Sequence, residues 1–160
     1  MEEEIEIIKK TPEDFKLPPN LKDYQKTYES FRWEDHFKDL EYFEDGKFNA
    51  AYQSIDRHLK TETKDRTAMM WENDKGKTQR FTFSEIAEAS NKVANVLKKL
   101  EIQKGDRVFL FLPRIPELFY AFLGVVKTGA ICGTLFQAFG PSGIKDRLEN
   151  SEARFLITHS

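Results

Sequence analysis

The sequence predicts an α/β fold, in which a mixed, mostly parallel sheet is flanked by helices and preceded by an aromatic-rich helical N-terminal arm. From Thr82 onward, helix and strand patterns alternate three times, which is typical of parallel strands joined by right-handed crossovers. Hydrophobic residues make up 39% of the 160 residues and aromatic residues 13%, so the chain can bury a core. We expect a tail over 1–20, a helical arm over 21–66 that packs on the body, and an α/β subdomain over 67–160.

The arm combines helix signals with many aromatic side chains. Asn20 can cap a helix over 21–31, although Pro18 and Pro19 also suit an extended connector, and Asn49 can cap a second helix over 50–60. Because an isolated arm would leave a large apolar surface in water, we expect it to lie on another part of the protein. The aromatic residues over 24–48 are Tyr24, Tyr28, Phe31, Trp33, Phe37, Tyr42, Phe43 and Phe48.

A hairpin and a long helix open the body. Residues 67–71 and 78–81 have the composition of strands, and turn residues that include Gly76 separate them. Thr82 and Glu85 have the spacing of a capping box, in which each side chain accepts from the other residue's backbone N–H. A long helix should therefore begin there, and its apolar residues recur at spacings of three and four.

Strands and helices then alternate. The run "RVFLFL" over 107–112 is nearly continuous in apolar residues, as in a strand that is buried on both faces. Pro116 suits the first turn of a helix that runs to Lys127, and Gly129 can end that helix in the left-handed conformation. The remaining predicted elements are a strand over 130–135, a helix that Gly140 and Pro141 open and that runs to about Asn150, and a strand over 154–158.

The end of the predicted sheet suggests that the subdomain is truncated at its C-terminal end. No crossover follows the last strand, whereas ligands of doubly wound sheets sit beyond the strands' carboxyl ends, in loops that lead onward. We therefore expect the chain to be the opening part of something larger.

Composition excludes several functional classes. A net charge of −2 and a pI near 6.0 give no basic field for non-specific nucleic-acid binding. With Cys132 as its one cysteine, the chain forms neither an internal disulfide nor a cysteine metal cluster. The acidic N-terminus does not resemble a secretory signal, and prolines and charges interrupt the most apolar stretch, over 108–122. We expect a soluble, cytoplasmic protein without nucleic-acid or membrane partners.

The consecutive residues Asp56, Arg57 and His58 combine an acid, a base and an imidazole. Successive residues of a helix point about 100° apart, so one helix does not aim all three at a single substrate atom. This geometry weakens a catalytic interpretation of the three residues.

Two glycine pairs have spacings that occur in anion-binding loops. Gly124 and Gly129 match the first gap of a nucleotide phosphate loop, but Ala130 and Ile131 stand where lysine and serine or threonine are needed. The backbone amides over 140–143 can form a modest anion site at a helix start, although an ordinary glycine-rich helix entry is the favoured interpretation.

The remaining polar residues give no catalytic pattern. The three histidines, His36, His58 and His159, are too scattered to predict a metal site. Asp146, Arg147 and Glu149 lie within about one helical turn, and we predict a solvated or salt-bridged helix face for them.

Four phrases of the sequence carry a family resemblance. They are "GKFNAAYQSIDRHL", "TFSEIAEASNKVANVLKKL", "KGDRVFLFLPRIPELFYAFLGVVKTGAI" and "LFQAFGPSGIKDRLENSEARFLIT". In order and spacing they resemble the front of AMP-forming acetate–CoA ligases, the acetyl-CoA synthetase branch of the adenylate-forming enzymes, and the resemblance covers about residues 20–160. It implies the first subdomain of that family's large N-terminal domain. It also implies a structural role for Asp56, Arg57 and His58, as caps and ion pairs between the arm and the body, since they lie in a family phrase but outside the family's catalytic set.

The resemblance also implies a reaction. In the family, acetate and ATP form acetyl-AMP and pyrophosphate with Mg²⁺, and CoA then displaces AMP. The family's phosphate loop, its adenine and ribose motifs and its catalytic lysine would all lie beyond Ser160. The isolated chain is therefore expected to contain no catalytic residue or metal ligand, to be inactive, and to bind ATP, CoA and Mg²⁺ weakly at most.

One segment resembles part of the family's binding surface. Phe136, Gln137 and Ala138 align with a Phe-Gly-Gly segment that touches the CoA nucleotide, but Gln137 and Ala138 replace the two glycines and restrict the approach of the backbone. Two alternatives stay open: a stand-alone, non-catalytic binding or assembly protein derived from this fold, and a ligase for a longer acyl chain. We also expect self-association of the isolated chain through exposed apolar surface.

Overall fold

The structure is a computed structural model that describes residues 10–159. Residues 1–9 of the predicted tail and Ser160 of the predicted subdomain lie outside the described residues. The chain divides into two compact units, 1–39 and 40–160. The boundaries expected for the tail, the arm and the α/β subdomain stay a prediction.

The first unit contains short helices. They are a 3₁₀ helix (Pro12–Asp14), α1 (Tyr24–Ser30) and α2 (Glu34–Phe37). The Asp23 carboxylate accepts the backbone N–H of Lys26 at 3.0 Å, so α1 begins at Tyr24. The predicted helix start at Leu21, with Asn20 as the cap, was therefore wrong, because a carboxylate three residues further on caps the helix.

The second unit is the α/β part of the chain. Its helices are α3 (Ala50–Ser54), α4 (Phe83–Lys99), α5 (Pro116–Lys127) and α6 (Pro141–Asn150), with 3₁₀ helices at Asp56–Lys60 and Glu62–Asp65. Its strands are β1 (Thr67–Glu72), β2 (Thr78–Thr82), β3 (Arg107–Phe111), β4 (Ile131–Thr134) and β5 (Phe155–Thr158).

Helix α3 begins where the sequence predicts it but ends earlier. The Asn49 side chain accepts the N–H of Ala51 at 2.9 Å, which confirms the predicted cap. The α-helix ends at Ser54 instead of Lys60, because Ile55 takes a non-helical conformation (φ −128°, ψ −62°). Ile55 is buried in a cluster with Ile86 and Ala87 of α4, and this tertiary packing overrides local helix propensity.

Strands β1 and β2 form an antiparallel hairpin that leads directly into α4. The predicted capping box is confirmed. The N–H of Glu85 donates to Thr82 Oγ1 at 3.2 Å, and the N–H of Thr82 donates to Glu85 Oε2 at 2.8 Å.

The other three strands form a parallel sheet in the order β4-β3-β5. The predicted parallel strands with helical crossovers are thus confirmed. Val108 and Leu110 of β3 are fully buried, and they belong to one core cluster with Leu97 of α4 and Val125 of α5. The sheet therefore stabilises the unit through one face that packs on two helices.

Gly124 lets α4 and α5 approach closely. A Cβ atom at this position would lie 2.6 Å from Val93 Cβ and 2.9 Å from the Ser90 carbonyl oxygen, and both of these atoms belong to α4. The glycine therefore serves helix packing and not phosphate binding, in agreement with the sequence-based rejection of a phosphate loop.

Candidate functional site

The carboxyl edge of the parallel sheet is the candidate site, because ligands of such sheets bind beyond the ends of the strands. The N–H of Leu135 donates to the Leu110 carbonyl at 2.9 Å, which extends the pairing of β4 with β3 by one residue. Leu135 is buried, so the chain leaves the sheet at Phe136. We call residues 135–140, which lead from β4 to α6, the edge loop.

The edge loop contains the three predicted CoA-edge residues. The side chain of Phe136 is 64% exposed, and Gln137 and Ala138 are also exposed. The N–H of Phe139 donates to the Phe136 carbonyl at 3.0 Å and closes a turn, and the two phenyl rings meet edge to face with centroids 6.0 Å apart. The loop thus presents an aromatic ring and turn backbone to solvent.

The replacement of two glycines does not strain this loop. Among residues 10–159, the non-glycine residues with positive φ are Glu101 and Glu152, so neither Gln137 nor Ala138 adopts a conformation that favours glycine. The backbone therefore accommodates Gln137 and Ala138 without strain. Their expected effect on a ligand is steric, because their side chains occupy space that two glycines would leave open.

Arg147 of α6 packs against the edge loop. Its guanidinium carbon lies 3.8 Å from the centroid of the Phe139 ring, and its Nη1 donates to the Gly143 carbonyl at 2.8 Å. Arg147 is exposed, as the sequence predicts, and Glu149 pairs with Lys145 at 3.6 Å. The stacking on Phe139 was not predicted, because it depends on the bend of the loop and not on helical spacing.

The neighbouring loop, which joins β3 to α5, is also held by a distant side chain. The indole Nε1 of Trp71 in β1 donates to the Arg114 carbonyl at 2.7 Å. Pro116 then occupies the first turn of α5, and Gly129 follows that helix with φ +79°, as predicted. Both loops at the carboxyl edge therefore have tertiary supports.

Asp56, Arg57 and His58 each contact a different neighbour. Asp56 Oδ1 accepts from Lys127 Nζ of α5 at 2.7 Å, Arg57 Nη1 donates to Gln53 Oε1 at 2.9 Å, and the His58 ring lies 5.0 Å from the Phe83 ring. Since the three side chains do not converge on one point, this geometry supports the predicted structural role.

The titratable groups with shifted pKa values stand outside the edge loop. The N–H of Gln103 donates to Asp106 at 2.9 Å, and this bond, together with Arg154 at 2.8 Å, holds the pKa of Asp106 below its ordinary value. Burial raises the pKa of the Cys132 thiol to about 11, so this cysteine is protonated and unreactive at neutral pH. No residue over 135–140 is titratable, so the loop supplies aromatic and backbone groups and no acid or base.

Within residues 10–159, no three histidine, cysteine, aspartate or glutamate side chains gather where they could hold a metal ion. No helix within 10–159 has the length and apolar character needed to cross a membrane.

Comparison with known proteins identifies relatives of this fold. Residues 56–160 match the family of AMP-binding enzymes. The chain is 46% identical over 140 residues to an acetyl-coenzyme A synthetase of Bacillus subtilis and 42% identical over 120 residues to one of Pseudoalteromonas translucida, matches that cover 87% and 74% of this chain. The crystal structure of a Brucella canis acyl-CoA synthetase superposes on 84% of the chain, with a TM-score of 0.76 and 31% sequence identity.

These relatives are much longer than this chain. The matches span 24% of the Bacillus subtilis protein, 18% of the Pseudoalteromonas translucida protein and 24% of the Brucella canis protein. The family match begins at Asp56 and covers all five strands and helices α4, α5 and α6. The chain belongs to the AMP-binding enzyme family.

Proposed function

We propose that the protein to which this chain belongs is an AMP-forming acetate–CoA ligase, which converts ATP, acetate and CoA into acetyl-CoA, AMP and pyrophosphate. The observation that carries this proposal is the 46% identity, over 87% of the chain, to a protein named acetyl-coenzyme A synthetase. In this proposal the 160 residues are the N-terminal portion of the enzyme, are inactive alone, and work in the cytoplasm.

We assign the edge loop to the CoA side of the site. Phe136, Gln137 and Ala138 are exposed at the carboxyl edge, where a ligand of a parallel sheet binds. The exposed Phe136 ring is suited to stacking on a nucleobase, and its edge-to-face contact with Phe139 restricts its orientation. The loop can thus bind and orient the CoA nucleotide, whereas the phosphates, the acetate and Mg²⁺ require residues other than those described.

A ligase for a longer acid is the second candidate function. The observation that favours it is the structural likeness to a protein named acyl-CoA synthetase, whose name specifies no acid. The edge loop does not distinguish the two candidates, since it faces CoA in both. Turnover of the whole protein with acetate, propionate and butyrate at equal concentrations separates them, because the true acid gives the highest kcat/KM.

A stand-alone binding or assembly protein is the alternative outside the enzyme class. The observation that favours it is the exposure of aromatic side chains in the first unit, which include Tyr24, Tyr28 and Trp33. In that case the native protein has no acid-dependent activity. The 160-residue chain then forms a defined monomer or oligomer without concentration-dependent association.

The test of the ligase proposal measures the two half-reactions of the whole protein separately. Exchange of labelled pyrophosphate into ATP should depend on acetate, and this step does not use CoA. Phe136→Ala should leave the exchange within about twofold of wild type and raise the KM for CoA about fivefold or more, since one stacked base contributes about 1–3 kcal/mol. The control is Leu100→Ala, which truncates an exposed apolar side chain at the C-terminal end of α4. If no carboxylic acid stimulates the exchange of labelled pyrophosphate into ATP, the proposal is contradicted.

A further inference from the structure

We infer that Arg147 is a positioning residue for the edge loop, and that it orients Phe136 toward the CoA nucleotide through Phe139. The inference deepens the function proposed above and rests on it. Arg147 lies on α6 and is not part of the Phe136–Ala138 segment, so its proposed role is to position the loop and not to react.

A continuous series of contacts runs from the helix to the exposed ring. The Arg147 guanidinium stacks on Phe139 at 3.8 Å from the ring centroid. Phe139 contacts Phe136 in two ways, by its ring at a centroid distance of 6.0 Å and by its N–H, which donates to the Phe136 carbonyl at 3.0 Å. Movement of Arg147 therefore removes the surface against which this turn is packed.

Arg147 is itself held in place before any ligand arrives. Its Nη1 donates to the Gly143 carbonyl at 2.8 Å, and this carbonyl belongs to the first turn of α6. A flat guanidinium that is also fixed by a hydrogen bond can stack on a ring in one orientation, which a flexible ammonium group does not achieve. The N-terminus of α6 offers no side-chain cap that could replace this support, because Gly140 is at the capping position.

The other end of α6 is anchored to the sheet. Arg107 of β3 donates through Nε to the Ser151 carbonyl at 2.8 Å and through Nη2 to Glu152 Oε2 at 2.9 Å. Helix α6 is thus attached to β3 at its C-terminal end and to the edge loop at its N-terminal end. Arg107 and Arg147 together fix the position of the edge loop relative to the sheet, and Arg147 is the one that contacts the loop.

The first arm of the test measures the loop directly in the 160-residue chain. Hydrogen exchange of the Phe139 amide, which donates within the turn, reports the opening of the loop. Arg147→Ala should accelerate this exchange about fivefold, Arg147→Lys should restore part of the protection, and Lys145→Ala, on the same helix, should leave it unchanged. Phe139→Leu removes the ring while keeping an apolar side chain, and it should match Arg147→Ala. Exchange that neither Arg147→Ala nor Phe139→Leu accelerates would overturn the inference.

The second arm measures kinetics in the whole protein, and it separates this inference from the proposed function. We expect Arg147→Ala to raise the KM for CoA about fivefold, with the KM for ATP and the acetate-dependent pyrophosphate exchange within about twofold of wild type. A KM for CoA that rises in Phe136→Ala but not in Arg147→Ala would overturn the positioning role and leave the CoA assignment intact. A KM for CoA that neither variant changes would refute the CoA assignment itself.

Discussion

The ion pair between Asp56 and Lys127 offers the sharpest test of the structural role assigned to the Asp56–His58 segment. Lys127 Nζ lies 2.7 Å from Asp56 Oδ1 and 2.8 Å from Asn91 Oδ1. The side chain of Lys127 is 10% exposed and that of Asp56 is 23% exposed. Asp56→Ala would leave an almost buried ammonium group with a neutral amide in place of its anionic partner.

The size of the effect follows from this burial. Breaking a buried pair from one side costs about 3–5 kcal/mol, whereas exposed pairs contribute about 0–1 kcal/mol. Because water still reaches Asp56 and Asn91 keeps its bond to Lys127, we expect Asp56→Ala to lower the free energy of unfolding by about 2–3 kcal/mol. Asp56→Ala combined with Lys127→Met removes the unpaired charge, so the double variant should be more stable than the sum of the single effects by about 1 kcal/mol or more.

Urea unfolding followed by tryptophan fluorescence measures these values. The two tryptophans lie in different compact units, so a Trp33→Phe background leaves Trp71 as a reporter of the unit over 40–160. A loss below about 0.5 kcal/mol for Asp56→Ala, or single effects that simply add, would refute the view that this pair joins the segment to α5.

Three further predictions concern packing, pH and association. Gly124→Ala should lower the free energy of unfolding by about 1–3 kcal/mol in urea titrations, because its Cβ would meet Val93 and the Ser90 carbonyl. Asp106→Asn should destabilise the chain at neutral pH but not at low pH. The depressed pKa of Asp106 contributes stability above the ordinary aspartate pKa near 3.9, and this stability is lost as the pH falls through the lower pKa of the folded state. A difference in thermal midpoint that stays constant from pH 7 to pH 2 would contradict the prediction. Ile131, on the edge strand β4, is 57% exposed. Ile131→Lys should reduce concentration-dependent association of the chain in sedimentation velocity, and unchanged association would exclude this edge.

The elements that the sequence predicted well are those whose signals are local. The capping box at Thr82, the cap at Asn49, Pro116 in the first turn of α5 and Gly129 after it each depend on a few neighbouring residues, and the structure contains all four. The alternation from α4 to β5 was predicted from periodicity in the same way.

The elements that the sequence missed depend on contacts between distant residues. Ile55 ends α3 because it packs on Ile86. Asn20 and Asp23 are both good capping residues, so the sequence alone does not decide which of them caps α1. At the candidate site, the sequence indicated Phe136, Gln137 and Ala138 through resemblance alone. The stacking of Arg147 on Phe139, eight residues earlier, is a tertiary contact for which no periodic pattern exists.

The products that the whole native protein forms decide whether it is an AMP-forming ligase. With ATP, CoA and acetate, AMP, pyrophosphate and acetyl-CoA should appear in equal amounts, and AMP release should require CoA. Formation of ADP in place of AMP, or no product from acetate, propionate or butyrate, would contradict the claim that this chain is part of an AMP-forming acyl–CoA ligase.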